Sequence, residues 1–269
     1  MKTFIVDSFT DKPFRGNPAG VCLPQQALSD DLMLSIAQEL NLSETAFIMP
    51  KGEKHHFGIR YFSPKMEIAL CGHATLASAR VAFSLFGSEE AHFFTAAGID
   101  LKVEASAEGI SMVFPVYETR PASAPPALLA ALGIGSVTNS VFNQETRILM
   151  LEIEDTGALA DLQPDYSALY ASHDAINGVL VTAQSHADAY DFHSRYFWPW
   201  SGTNEDPVTG GTHTFLAKYW SERLGKTKMR SYQSSKRSGF MEVELVDDQV
   251  VIRSQAIIVL EGMMSVRGE

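Results

Sequence analysis

The sequence predicts an α+β protein of two pseudo-symmetric lobes, each a curved, mostly antiparallel sheet wrapped around a central helix. Three observations predict it. Arg60-Tyr61-Phe62-Ser63-Pro64, leading to Glu67 and Cys71-Gly72, returns as Arg195-Tyr196-Phe197-Trp198-Pro199, leading to Glu205-Asp206 and Thr209-Gly210. The correspondence extends past those motifs, since Phe57 precedes Arg60 as Phe192 precedes Arg195. The helix that begins at Gly72 is apolar on nearly all sides, with Arg80 its one charge, as expected of a helix that strands surround.

In chain order, Thr3 to Ser8 reads as a strand, Arg15 to Gly20 as a turn and Val21 to Leu23 as a short apolar run. Ser29 with Asp30 and Asp31 reads as a cap and first turn, and Leu32, Leu34, Ile36, Ala37 and Leu40 as the stripe of a helix ending near Asn41. Glu44 to Met49 and His56 to Phe62 follow as strands, then the Gly72 helix, then strands at Ala91–Ala96, Ile99–Ala105 and Gly109–Pro115. The Pro- and Ala-rich segment Arg120 to Pro126 reads as a linker. Beyond it the order repeats: strand Arg147–Ile153, helix Ala158–Leu169, strands Gly178–Ala183 and Tyr190–Phe197, a helix from Gly210 to about Arg223, and strands Met241–Leu245, Val250–Ser254 and Ile257–Leu260. The expected division is an N-terminal lobe over 1–119 and a C-terminal lobe over 127–256, with the lobe of the final strand, 257–269, left open. A cleft between the lobes is the expected place for a site.

With 45% apolar and 20% charged residues among 269, the chain can bury a large core. Its 21 basic against 32 acidic residues argue against a nucleic-acid or membrane-surface partner, which would need a concentrated positive face. An anionic substrate must then be held by local backbone dipoles and a few side chains. Two cysteines imply no disulfide framework, and the chain opens directly into a strand-like run, so a soluble cytoplasmic protein is expected.

Each copy of the repeat offers free backbone N–H groups at a helix start, a natural seat for a carboxylate. Cys71 and His73 flank the first start; Cys71 reads either as a small buried residue or as a reactive thiol, and His73 either as a bonded helix-start residue or as a catalytic imidazole. Before the second start, Asp206 reads as a cap or a catalytic carboxylate, and Gly210 and Gly211 let a ligand approach the backbone of the Thr209–Thr212 turn. Glu44, the last charge before an apolar strand, follows Ser43 and suits a general acid or base; the alternative is a solvated loop carboxylate. Asn17 either belongs to a tight turn or is aimed at a ligand. Glu67 and Glu205 occupy matching positions and read as structural. No nucleotide-binding loop is present, and the histidines show no metal-ligand spacing, so no metal is expected.

Taken together, Gly16-Asn17-Pro18-Ala19-Gly20, Asn41-Leu42-Ser43-Glu44-Thr45-Ala46-Phe47, Arg60-Tyr61-Phe62-Ser63-Pro64, Cys71-Gly72-His73-Ala74 and Glu205-Asp206-Pro207-Val208-Thr209-Gly210 resemble the PhzF-like phenazine biosynthesis proteins. The resemblance covers essentially the whole chain and implies a diaminopimelate-epimerase-like fold. It also implies an isomerase that shifts a proton within a small cyclohexadiene carboxylate, trans-2,3-dihydro-3-hydroxyanthranilate, without cofactor, and a homodimer. Under it Glu44 is the proton-shuttling glutamate, and His73 and Asp206 are its polar partners. The family's two helix starts hold the substrate carboxylate through backbone amides, which here would be those of Gly72, His73, Gly210 and Gly211, although Gly211-Thr212 stands where Ser-Ala is expected in many members; Asn17, Ser43 and Thr212 are further substrate-binding candidates. The fold also contains racemases with a thiol at both helix starts; here Thr209 faces Cys71 in the repeat, and its hydroxyl is too weakly acidic for that chemistry. The alternative to an isomerase is a non-catalytic member that binds a small carboxylate or another protein.

Overall fold

The structure, a computed structural model, describes residues 1–186, 189–201 and 203–266. The chain divides into two compact units, Met1–Val113 with the segment from Ile252 onward, and Phe114–Val251. The first half supplies β1 (Lys2–Ser8), β2 (Asn17–Leu23), α1 (Asp30–Leu40), β3 (Glu44–Pro50), β4 (His56–Phe62), β5 (Glu67–Ile68), α2 (Gly72–Phe86), β6 (Glu90–Thr95), β7 (Asp100–Ser106) and β8 (Gly109–Pro115). The second supplies β9 (Thr119–Pro121), α3 (Pro126–Leu132), β10 (Asn139–Asn143), β11 (Ile148–Glu152), α4 (Thr156–Asp161), α5 (Tyr166–Ala171), β12 (Gly178–Gln184) and β13 (Phe192–Trp198). It continues with β14 (Thr203–Asp206), α6 (His213–Leu224), β15 (Lys228–Gln233), β16 (Gly239–Val246), β17 (Gln249–Ser254) and β18 (Ala256–Met263).

Strand pairing repeats between the units. In the first, β2–β3 and β4–β6 are parallel while β1–β2, β3–β4, β4–β5, β6–β7 and β7–β8 are antiparallel. In the second, β11–β12 and β13–β15 are parallel while β10–β11, β12–β13, β13–β14 and β15–β16 are antiparallel. The boundaries fall inside β8 and β17, so that β9 pairs with β10 within the second unit and β18 pairs with β1 within the first. The strand left open in the sequence reading thus lies in the first unit, and the end of its 257–269 segment, residues 267–269, is outside the described residues.

Local chemistry explains the elements that carry the site. Ser29 accepts the Leu32 N–H at 3.3 Å, and Asn41, in the left-handed region, closes α1 through Ala37. Met33, Ile36 and Ala37 on the inner stripe of α1 pack with Cys22, Phe47 and Phe62. In α2 every residue from His73 to Val81 except Arg80 is buried, and the helix packs on β1, β2, β3, β6 and β18. Its alanines allow that close approach from several sides. Gly16 must be glycine, with φ +66° and the Ser8 carbonyl 2.0 Å from where a Cβ would sit.

Four expectations need correction. Arg15–Gly20 is a turn only to Gly16, since Asn17 already opposes Ser8 in the β1–β2 ladder. Arg120–Pro126 is no linker between units: β9 pairs with β10, Ala122 and Ala124 pack on the second unit's core, and the prolines start α3. The helix expected over Ala158–Leu169 is two short helices, because Pro164 cannot continue a helix and Asp155 and Asp165 each cap their own. The second repeat's helix begins at His213 rather than Gly210, after a tight turn in which the His213 N–H bonds the Gly210 carbonyl at 3.0 Å.

Candidate active site

The first unit brings four motif residues together. Ser8 and Asn17 face each other across β1–β2, and Glu44 starts β3 opposite Ala19. Ser43 Oγ lies 3.4 Å from Asn17 Oδ1, and Asn17 is fully buried. His73 is the second residue of α2, and Ser8 Oγ donates to its carbonyl at 2.7 Å. Glu44 and His73 are both buried, with His73 Nε2 3.2 Å from Glu44 Oε2.

Burial lowers the His73 pKa from 6.5 to about 3. The imidazole is therefore neutral at neutral pH, and its contact with Glu44 is a hydrogen bond rather than an ion pair. With Glu44 ionised, Nε2 carries the proton and donates it; with Glu44 protonated, the carboxyl donates to Nε2. One geometry serves both protonation states of the carboxyl group, which is what a proton carrier requires.

Cys71 caps α2 in position but not through its side chain, and no acidic residue stands in the first turn. The Cys71 side chain therefore leaves the N–H groups of the first turn uncapped, and a helix start of that kind is favourable to negative charge. The Cys71 carbonyl accepts from Thr75 Oγ at 2.7 Å, which directs the Tyr61 hydroxyl, 2.6 Å away, to donate to Thr75. Cys71 Sγ is 3.4 Å from His73 Nδ1 and 3.9 Å from Nε2. A sulfur on the axis of either ring lone pair would be much farther from the other nitrogen, so Cys71 is poorly aligned to pass a proton to the ring. Glu44, Cys71 and His73 have donor atoms within 4.8 Å of one another, the one such trio among the described residues. These donor types suit a soft divalent ion. The Glu44–His73 hydrogen bond uses the same atoms.

The second unit builds its own turn. Asp206, at the end of β14, is buried and accepts the Thr209 hydroxyl. Gln233 on β15 clamps both ends, donating Nε2 to the Asp206 carbonyl at 2.6 Å and accepting the Thr209 N–H at 2.9 Å. Ser235 holds the Pro207 carbonyl, and Thr212 Oγ donates to the Thr209 carbonyl at 3.0 Å. Thr212 is therefore buried with its hydroxyl turned to the backbone. A Cβ at Gly211 would meet nothing within 4 Å, so its backbone lies open. His213 Nδ1 is 3.2 Å from the same Thr209 carbonyl and Nε2 is 2.8 Å from Ser231 Oγ. Burial lowers its pKa to about 4, so Nδ1 donates to the carbonyl and Nε2 accepts from Ser231.

The repeated arginines are structural. Arg60 grips Glu67 at 2.7 and 2.6 Å, and Arg195 grips Glu205 at 2.8 and 2.9 Å, each tying a strand to the short strand before its helix. Sequence reasoning missed Ser8, Gln233, Ser235 and His213. Ser8 lies in a strand read for its apolar residues, and Gln233 lies in a strand that was not foreseen. Thr75, four residues after Cys71, was legible in principle from its spacing.

The family profile described as "Phenazine biosynthesis-like protein" matches residues 6–262. A mouse protein named phenazine biosynthesis-like domain-containing protein 1 is 40% identical over 97% of this chain and 98% of its own. A Pseudomonas aeruginosa protein named as an uncharacterized isomerase is 40% identical over 97% of each. The crystal structure of a PhzF family protein from Enterococcus faecalis superposes with a TM-score of 0.91 at 37% identity, covering 98% of this chain and 99% of that one. At 10% identity, a hydroxyproline epimerase from Agrobacterium vitis shares the fold with a TM-score of 0.55, over 97% of this chain and 91% of that one. Among the described residues no helix is long and apolar enough to cross a membrane.

Proposed function

Because the chain belongs to the phenazine biosynthesis-like family, we propose that it is a cofactor-independent isomerase that moves a proton within a small carboxylate, with Glu44 as the proton carrier. An isomerase-like role is supported by the named isomerase relative and by the epimerase and isomerase folds among its neighbours. The single observation that carries the finer reading is the buried Glu44 carboxylate hydrogen-bonded at 3.2 Å to an imidazole held neutral.

In this reading ionised Glu44 takes a proton from one carbon of the substrate, the electron pair shifts along the conjugated system, and Glu44 returns the proton to a second carbon. No atom is gained or lost. His73 Nε2–H holds the carboxylate in place and spreads its charge, and Ser8 fixes the His73 backbone. The backbone at Gly72 and His73 is proposed to bind the substrate carboxylate, with Asn17 and Ser43 beside it. Asp206 and the Gly210–Thr212 turn are the groups proposed in the second unit, and Asp206→Asn tests them separately.

Glu44→Gln keeps the shape and the hydrogen bond but not the base. In a screen of cyclic and amino carboxylates in deuterated water, the wild type should incorporate deuterium into one of them and Glu44→Gln should lose that exchange by about 10³-fold or more while still binding the ligand. An unchanged exchange rate would remove Glu44 from the mechanism. Saturable binding with no exchange for any carboxylate would favour the non-catalytic binder.

A further inference from the structure

One strand glycine in the first unit lacks a backbone reason to be glycine. Gly20 and Gly178 are explained by close neighbours, since a Cβ would stand 2.9 Å from Leu40 and 2.6 Å from the Tyr196 ring. Gly58, in the middle of β4, has no such neighbour and its φ is outside the left-handed region; the one heavy atom near an added Cβ is the Met49 carbonyl oxygen, 4.0 Å away. A glycine there weakens the strand without easing any contact, and such positions often mark close approach of a ligand.

What the missing side chain leaves is a slot. Gly58 pairs with Met49 on one side and with Phe94 on the other. Those two strands stand about 10 Å apart across β4, so the gap is one side chain wide. A cavity of about 320 Å³ is lined there by Gly58 together with Leu28, Met33, Phe47 and Met49. Glu44 is not among its lining residues.

Two cations, Lys51 and Arg60, are among the residues that line the cavity. Arg60 is committed to Glu67 and Asp30. Lys51 pairs with no carboxylate among the described residues, and its ammonium stands 4.9 Å over the Phe94 ring. The Phe94 ring already stacks on His56, with 5.5 Å between centroids, so the apolar lining of Leu28, Met33, Phe47 and Met49 is what suits an apolar ring, and the Lys51 ammonium in the same lining suits a negative charge at one end of it. We propose that this slot binds a small aryl carboxylate, with Gly58 as the floor under the ring and Lys51 as the partner of the carboxylate.

The test is calorimetric titration with 2-naphthoate and its neutral counterpart 2-naphthamide. The wild type should bind the acid about tenfold more tightly than the amide. Gly58→Val should weaken both by about tenfold or more by filling the slot, with the melting temperature maintained because the added side chain enters open space. Lys51→Gln, on the surface, should bring the acid down to the affinity of the amide and decides the matter even if Gly58→Val fails to fold. Gly58→Val and Lys51→Gln should keep any deuterium exchange that depends on Glu44, which separates this slot from the proposed active site. Equal affinities for acid and amide in the wild type, binding unaffected by a folded Gly58→Val, an acid affinity unchanged in Lys51→Gln, or no saturable binding at millimolar ligand would each overturn the proposal.

Discussion

His213 supplies a pH dependence that can be worked out from its surroundings. It is fully buried between Thr209 and Ser231, and burial lowers its pKa from 6.5 to about 4. As pH falls through 6.5 the unfolded chain binds a proton that the folded chain refuses until about 4, so acid favours unfolding. The stabilisation is fully present above 6.5 and is lost progressively downward. Between pH 7 and pH 5.5, above the range where most carboxylates titrate, this one group should cost the folded state about 1.2 kcal/mol. The three tryptophans, Trp198, Trp200 and Trp220, all lie in the second unit with His213, so urea unfolding followed by tryptophan fluorescence reports on the right part of the chain. His213→Asn should be less stable at neutral pH and should lose about 1.2 kcal/mol less on acidification than the wild type. Equal acid sensitivity in the two proteins, or an NMR titration of the His213 ring with a midpoint near 6, would refute the argument.

The two arginine pairs should differ although the repeat makes them equivalent. Arg195 is nearly buried with Glu205 and also donates to the carbonyls of Leu159, Ala160 and Leu162, so Arg195→Met should cost about 3–5 kcal/mol in denaturant unfolding. Arg60 and Glu67 are each about one-third exposed, and Arg60→Met should cost about 1 kcal/mol or less. Comparable losses in the two variants would contradict the burial argument. Gln233→Leu removes the bonds to the Asp206 carbonyl and the Thr209 N–H, so it should destabilise by about 2–4 kcal/mol and raise amide exchange at Thr209 well above that of neighbouring strands. Unchanged protection at Thr209 would mean that the clamp does not hold the turn.

Local chemistry made much of the fold legible. Ser29 and Asn41 bound α1 because capping is settled within a few residues, and the alanines of α2 announced a surrounded helix. The misreadings share a cause: one composition fits two structures. Prolines at 125 and 126 suit a linker, but they suit the first turn of α3 equally well. Lys228–Gln233 looks polar, yet Met229, Ser231 and Gln233 alternate inward, so β15 is a strand whose buried face is partly hydrophilic. In the candidate site, Glu44 and His73 stood out by residue type and motif, whereas the Ser8–His73 bond spans 65 residues of chain and the Gln233–Asp206 bond spans 27. No local pattern encodes those partners.

The repeat shows how far duplicated scaffolding constrains chemistry. Both copies keep the arginine–glutamate grip and the short strand before the helix, because each must lock a loop against a strand. The helix entrances then diverge. Cys71 is followed at once by α2, with His73 in its first turn, whereas Thr209 is followed by a tight turn that delays α6 until His213. In the second copy the buried histidine is spent on the Thr209 carbonyl, and the Thr209 hydroxyl on Asp206. A symmetric pair of proton carriers would need matching free groups at both entrances, and the first copy alone sets a neutral imidazole against a buried carboxylate. Divergence therefore falls on the residues that set protonation state, while the ion pairs that set geometry persist.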